Sequence, residues 1–275
     1  MKGPGLYSDI GKTAKDLLTK DYNFDHKLTI STQSSSGVAL TSGALKKGGL
    51  FSFDIGTVYK YKGTTIDVKV DTNSNISSTL TFTDLLPSTK AIATLKLPDY
   101  NAGKVEVQYF HDHATVASAV AVKQSPVVDF SATVGAHGVA FGAEAGFDTA
   151  SGNFTKYSLA IGLTKPDYAV SLILGDMGDS IKGSYLHYLD EKQKSAAVGE
   201  VTRKFSTNEN TFTVGAAYEL DPFMTVKSKL NNSGKLGVAL LHKVKPMSTL
   251  TISGEFDTKA LDKTPKFGLA LALKP

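Results

Sequence analysis

The chain has 275 residues, of which 41% are hydrophobic, and its mean hydropathy is −0.08. No run approaches the ~18 consecutive apolar residues of a membrane-spanning helix, so a helical membrane protein is excluded. Cysteine is absent, which excludes a disulfide framework and a thiolate metal site. The net charge is +4, and Arg203 is the sole arginine. This modest excess suits anionic partners but does not suggest nucleic acid as the primary ligand.

The N-terminal segment, residues 1–25, is predicted to contain the only helix, over residues 6–20. Its apolar residues fall near a period of 3.6, and its other side is charged. The segment lacks the apolar core of a secretory signal and is acidic where a transit peptide carries arginine, so we expect it to be retained. The apolar set is Leu6, Ile10, Ala14, Leu17 and Leu18, and the charged set is Lys12, Lys15, Asp16 and Lys20.

Residues 26–275 are predicted to form a single β-domain. About nineteen segments follow one another in which apolar and polar residues alternate, as in residues 250–253 and 266–273. Turn sequences such as Ser35–Gly37 and Asn231–Gly234 separate them. The segments are about eight to eleven residues long, close to the ~9–11 that a tilted membrane strand needs.

The alternation gives each strand one apolar and one polar face. Near residue 68, for example, Ile66, Val68 and Val70 share one face, while Asp67 and Lys69 lie on the other. A water-soluble barrel with an apolar interior holds roughly eight strands before its side chains can no longer fill it. We therefore predict an all-β transmembrane barrel of about 19 strands, apolar towards lipid and polar towards a water-filled lumen. A soluble sandwich is the alternative, although it would rarely need so many consecutive hairpins.

Two stretches resemble a known family. Gly3–Lys12, with Ala14–Leu18, Lys20 and Tyr22, resembles the N-terminus of the mitochondrial porins, or voltage-dependent anion channels, and is most similar to plant members. Tyr218–Pro222 and Val226–Gly234 are similar to their C-terminal signature. The resemblance spans the chain and implies a nineteen-strand barrel with the N-terminal helix inside the pore. It implies a voltage-gated, weakly anion-selective channel of the mitochondrial outer membrane, which passes ATP, ADP, phosphate, small metabolites and ions without a cofactor.

The resemblance also implies roles for particular residues. The last strand matches a polar-x-Gly-x-x-apolar-x-apolar sorting signal at Lys266, Gly268, Leu271 and Leu273. A nucleotide contact is implied at Lys20, Lys90, Ser233 and Gly237. Two positions depart from the family pattern. Val68 stands where animal relatives have a lipid-facing glutamate, and Ser88-Thr89-Lys90 stands for a Gly-Leu-Lys triplet.

Lysines on the polar faces are the predicted selectivity residues, because flexible hydrated charges attract phosphate-bearing solutes without gripping them. No set of catalytic residues is found. Gly178 and Gly183 have the spacing of the two P-loop glycines, but the lysine that follows the second glycine is absent. His111-Asp112-His113 has no third spaced metal ligand. We therefore expect neither an enzyme nor a metal site. The predicted pore-lining set is Lys12, Lys15, Lys20, Lys69, Lys90, Lys104, Lys227 and Lys229.

Other functions stay open at this point. The chain could be an outer-membrane docking scaffold for kinases or a homo-oligomeric interaction platform that uses its outer wall. It could be the related import pore for unfolded proteins, although a lysine-rich lumen would repel cationic presequences. A soluble lipid-binding β-protein is the last alternative. Membrane lipid, anionic metabolites and nucleotides are the partners of the favoured channel.

Overall fold

The structure is a computed structural model that describes residues 3–83, 85–245, 247–260 and 262–274. Within these ranges, no helix has the length and apolar character needed to span a membrane. The helical elements are a 3-10 turn at Tyr7–Asp9, helix α1 at Lys12–Thr19, and 3-10 turns at Tyr100–Ala102 and Asp176–Gly178. The strands are β1 His26–Gln33, β2 Val38–Lys47, β3 Leu50–Tyr61, β4 Thr64–Asp71, β5 Ile76–Phe82, β6 Thr89–Leu97, β7 Gly103–Phe110, β8 Ala114–Val122, β9 Val127–Ala136, β10 Val139–Asp148, β11 Asn153–Thr164, β12 Tyr168–Gly175, β13 Ser180–Tyr188, β14 Ala196–Lys204, β15 Glu209–Asp221, β16 Met224–Asn231, β17 Lys235–Lys245, β18 Ser248–Asp257 and β19 Lys266–Leu273.

These strands form one closed nineteen-stranded sheet. Hairpin neighbours run antiparallel, as between β17 and β18, where Leu236 lies opposite Phe256. An odd number of alternating strands leaves the first and the last pointing the same way. Accordingly, β1 pairs with β19 in parallel, from His26 opposite Leu269 to Ile30 opposite Leu273. The predicted fold class, an all-β barrel of 19 strands with an N-terminal helix, is confirmed.

The prediction of one continuous helix over residues 6–20 is wrong. The chain makes a 3-10 turn, passes through Ile10 in an extended conformation, and starts α1 after Gly11. Gly11 has a φ of +73°, which side chains other than glycine rarely adopt. A Cβ atom there would also lie 2.6 Å from the Ser171 Oγ. Conformation and close packing at Gly11 therefore both break the helix that the apolar spacing predicts.

The chain divides into two compact units. The first comprises Met1–Ile10, Ser31–Gly43 and Ser52–Ala160, and the second comprises Gly11–Ile30, Ala44–Phe51 and Ile161–Pro275. Residues 1, 2, 84, 246, 261 and 275 of the predicted segments 1–25 and 26–275 lie outside the described residues. The division at residue 25 stays a prediction.

In the second unit, α1 lies on the polar face of the sheet. Leu17 and Leu18 approach Gly215 of β15, and strand alternation places Gly215 on the face opposite Val214. The other face is apolar and exposed, with Phe267 58% and Leu269 43% accessible. In the first unit, Tyr7 and Ile10 similarly approach Gly142 of β10. Each unit therefore has an exposed apolar face and a polar face that receives part of the N-terminal segment.

Candidate pore lining

Helix α1 packs on an apolar patch that interrupts the polar face of β13–β15. Its Ala14, Leu17 and Leu18 are at most 8% exposed. They join one buried cluster with Leu186, Ala196, Val198 and Ala217. Cross-strand pairing puts Leu186 opposite Val198 and Ala196 opposite Ala217, so the sheet's part of the cluster is continuous. An eight-residue helix is unstable alone in water, and this burial stabilises it.

The sequence held a signal for this patch that the alternation analysis missed. On β13, Tyr185 lies on the exposed apolar face, yet Leu186 on the opposite face is also apolar and fully buried. A strand with large apolar residues on both faces is covered on both sides. The departure from alternation at Leu186 therefore indicates that something lies against the polar face.

Two lysines of β16 hold the C-terminal end of α1. The Lys229 Nζ donates a hydrogen bond of 2.7 Å to the Leu18 carbonyl oxygen. It also lies 4.3 Å from the centre of the Tyr22 ring. Because helix C-termini leave carbonyl groups unpaired and carry partial negative charge, a cation is favourable there. Two residues earlier, the Lys227 Nζ lies 2.6 Å from an Asp21 carboxylate oxygen.

Lys227 and Lys229 together form what we call the latch of the N-terminal segment. Tyr22 is buried beside it, with 6% of its surface exposed. Its hydroxyl oxygen has no hydrogen-bond partner among the described residues. Burial is the main cause that raises the pKa of Tyr22 well above its ordinary value, and the charge of Asp21 adds to it. The phenol therefore stays protonated throughout the physiological range. The contribution of Tyr22 to the free energy of unfolding is therefore constant below pH ~10. It falls as the pH rises from there towards the pKa of the folded state, because the unfolded chain loses the phenol proton first.

Replacing Tyr22 by phenylalanine should stabilise the protein or leave its stability unchanged. The change removes a buried hydroxyl without a partner, whose burial costs about 1–3 kcal/mol, and it keeps the ring under Lys229. Thermal unfolding in detergent, followed by circular dichroism, should show an equal or higher midpoint for Tyr22→Phe. Tyr22→Leu, which removes the ring, should lower it. A clear loss of stability in Tyr22→Phe would mean that the hydroxyl is hydrogen-bonded.

In the first unit, the polar face of β7, β9, β10 and β11 carries a mixed cluster of charges. The Lys156 Nζ lies 3.3 Å from carboxylate oxygens of both Asp129 and Glu144. The Lys104 Nζ lies 3.6 Å from Asp129 and 4.0 Å from Glu106. These five residues comprise three acids and two lysines, so this part of the polar face has an excess of negative charge.

Tyr7 of the N-terminal segment lies beside this cluster. Together with Leu6 and Ser8, it borders a cavity of about 270 Å³ that the cluster also lines. Burial raises the pKa of Tyr7, opposed by a hydrogen bond with Ser158. The N-terminal segment of the first unit therefore lies next to charged side chains rather than on an apolar patch.

The predicted lysines have different surroundings. Lys12, Lys15 and Lys20 are exposed on or just after α1. Lys69, on β4, lies 3.1 Å from Asp54, and Lys104 belongs to the mixed cluster. Lys90 borders a cavity of about 250 Å³ that Gly3, Gly5 and His111 also line. Their role in the pore stays a prediction.

The residues predicted to contact nucleotide belong to both units. Lys20 follows α1, Ser233 is exposed in the turn between β16 and β17, and Lys90 belongs to the first unit. Gly237 is buried, and a Cβ there would lie 3.1 Å from Lys229 and 3.3 Å from Tyr22. These contacts stay predictions. Val68, at the departure from the animal pattern, lies on the apolar face of β4 opposite Ser78.

The predicted sorting-signal residues divide between the two faces of β19. Lys266 pairs with Glu255 at 3.2 Å, and Gly268 shares its polar face. Leu271 and Leu273 lie on the apolar face. Packing alone requires a glycine at position 268, because any Cβ atom there would collide with the backbone of Asn23. The Ser253 hydroxyl donates a hydrogen bond to the same Asn23 carbonyl. The sorting role stays a prediction.

No group of three histidine or acidic side chains in the described ranges is arranged to hold a metal ion. His111 Nδ1 instead accepts a hydrogen bond from the backbone N–H of His113 within the turn.

Comparison with known proteins adds the family to this geometry. A model of the eukaryotic porin family matches residues 3–268. The chain belongs to the eukaryotic porin family. It is 67% identical to mitochondrial outer membrane protein porin 5 of Oryza sativa subsp. japonica, covering 100% of this chain and 99% of that protein. It is 62% identical to porin 2 of Arabidopsis thaliana, with 100% and 99% covered. It is 48% identical to the outer plastidial membrane protein porin of Pisum sativum, with 100% of each covered.

Family membership confirms the resemblance to plant mitochondrial porins. The chain is a pore-forming channel and not an enzyme. The names of the rice and Arabidopsis relatives confirm the mitochondrial outer membrane as its location. The apolar face of the porin sheet is therefore the face that meets lipid.

Proposed function

We propose that this porin is a voltage-gated, weakly anion-selective channel that passes ATP, ADP, phosphate, small metabolites and ions by passive diffusion. Lysines on the polar faces of both units, exposed or only partly buried, are the observation that supports it. Their ammonium groups attract phosphates through hydrated contacts, which are screened over ~8 Å at physiological salt. Passage requires attraction that is weak enough to release the solute.

Ion pairing on the polar faces accounts for weak selectivity. Lys69, Lys104 and Lys227 each lie within 4.0 Å of a carboxylate. Paired charges largely cancel beyond a few ångströms, so they contribute little to the long-range field. Lys15 and Lys20, exposed on the N-terminal segment, have no carboxylate at that distance among the described residues and contribute a larger share.

Voltage gating would use the charges of the N-terminal segment. One elementary charge that crosses 100 mV of potential gains ~2.3 kcal/mol, so a few charges moving together can shift a two-state equilibrium. Lys12, Lys15 and Lys20 exceed the acids Asp16 and Asp21 by one within residues 12–21. The latch of Lys227 and Lys229 would hold this segment in the conducting state.

The selectivity is tested in planar bilayers with the purified protein under a KCl gradient. The sign of the reversal potential at low voltage should show chloride preferred over potassium. Potassium preference would refute anion selectivity and leave the channel assignment intact. Docking of kinases and assembly into homo-oligomers stay predictions; full conduction by a monomer would show that transport does not need association.

Glu144→Gln should increase the anion preference. The change removes one of three carboxylates from the mixed cluster, whose two lysines then match the two remaining acids. The reversal potential under the same gradient should move further towards the chloride value. Glu191→Gln, in the exposed loop between β13 and β14, is the control and should move it less. Equal shifts would show that position relative to the pore does not matter.

A further inference from the structure

A groove lies on the lipid-facing side of the second unit. It has a volume of about 210 Å³ and is lined by Met224, Leu240, His242, Leu250 and Ile252. Met224 lies opposite His242 across β16 and β17, and Leu240 lies opposite Ile252 across β17 and β18. The polar face of the same strands carries Lys227 and Ala239, which pair with each other. The groove therefore opens away from the N-terminal segment and towards the membrane.

One of the residues that line the groove, His242, has a buried polar atom without a partner. The Nδ1 atom of His242 is buried and makes no hydrogen bond within the described residues. An unpaired nitrogen in an apolar wall is costly, and lipid tails cannot pair with it. Because this atom has no exposed surface, a polar group of a bound lipid would satisfy it only after the imidazole ring turns towards the groove.

A β-bulge brings a lysine to the same side. Lys243 lies opposite Thr249, but Lys245 lies opposite Ser248, so Val244 is an extra residue on β17. With regular alternation, Lys245 would follow Lys243 onto the polar face. The extra residue instead places Lys245 on the face of Ser248 and Leu250, which is the face of His242. In the described ranges, Lys245 has no carboxylate within ion-pair distance.

We propose that this groove binds an anionic phospholipid. One acyl chain would lie along Leu240, Leu250 and Ile252, the phosphate would meet the Lys245 ammonium, and the His242 ring would turn so that its Nδ1 atom pairs with the ester or headgroup region. Lys245 ends β17, and His242 lies three residues further in, ~8 Å along a tilted strand. In a bound lipid the phosphate lies nearer the membrane surface than the glycerol esters, which is the order of Lys245 and His242 along the strand. A sterol, with one hydroxyl, would leave Lys245 without a partner.

Photolabelling tests the site in the full-length channel reconstituted in phosphatidylcholine vesicles. Two probes carry the same diazirine acyl chain, one on phosphatidylglycerol and one on phosphatidylcholine. Mass spectrometry then measures the labelling of residues 236–252. The anionic probe should label this segment roughly fivefold more, the effect of one basic side chain at an anionic surface.

Lys245→Gln should reduce labelling by the anionic probe to the phosphatidylcholine level, and His242→Leu should also reduce it. Lys46→Gln is the matched control. Lys46 lies near the end of β2, 5.2 Å from the centre of the Phe51 ring, and its loss should leave the labelling of residues 236–252 unchanged. Single-channel conductance verifies that each variant is folded. Equal labelling of the parent channel by both probes, which requires no variant, would overturn the proposal. Displacement of the anionic probe by a sterol rather than by phosphatidylglycerol would also overturn it.

Discussion

Gly215→Val should displace α1 from the barrel wall. A Cβ at this position would lie 2.7 Å from Leu18 Cδ2 and 3.0 Å from the Ser228 carbonyl oxygen. The backbone of β16 cannot retreat without breaking its pairing with β15, so the Leu18 side chain must give way, and with it the contact that docks the helix. Overpacking of this kind costs about 1–3 kcal/mol, and an eight-residue helix does not persist once undocked.

Hydrogen exchange of the α1 amides measures this displacement directly. In Gly215→Val, these amides should exchange much faster than in the parent channel, while the strands keep their protection. Gly199→Val is the matched control, because Gly199 of β14 lies on the lipid-facing side with nothing within 4 Å of its Cβ position. Unchanged protection of α1 in Gly215→Val would show that the helix does not depend on close approach to β15.

Lys227→Glu should release the end of the N-terminal segment and make the channel close at smaller voltages. The Lys227 and Asp21 side chains are only 14% and 23% exposed, so a second carboxylate would repel Asp21 in a weakly screened place. Breaking a fully buried pair costs about 3–5 kcal/mol, and partial exposure reduces this to about 2 kcal/mol. Current–voltage curves in planar bilayers give the closing voltage.

Exchanging the two charges distinguishes the loss of the Lys227–Asp21 ion pair from other effects of Lys227→Glu. Asp21→Lys combined with Lys227→Asp restores opposite charges and should move the closing voltage back towards the parent value. If the double variant closes as easily as Lys227→Glu, the ion pair is not what holds the segment.

The barrel was predictable because alternation is a local property. The faces of β4 and the nineteen segments follow from side chains two residues apart, which need no knowledge of their partners. The break at Gly11 was not predictable from spacing, because the periodic positions of Ile10 and Ala14 continue across it. Only the positive φ of Gly11 and its packing against Ser171 reveal it.

The contacts of the pore lining were harder to predict from the sequence, for a different reason. Asp21 and Lys227 are 206 residues apart, and their pairing depends on which strand lies under the helix. Likewise, the side on which Lys245 emerges depends on one unpaired residue, Val244, whose effect appears only in the register with β18. The lysines themselves are visible in the sequence. Which of them are neutralised by a carboxylate depends on the long-range pairing of the strands.

The parallel pairing of β1 with β19 has a consequence for how the chain is made. The two partners lie at opposite ends of the polypeptide, so the seam cannot form before synthesis of the last strand is complete. Until then, the sheet has two open edges whose unpaired N–H and C=O groups can bind another chain and aggregate. A truncation that removes only β19 should therefore leave an insoluble product rather than a narrower channel.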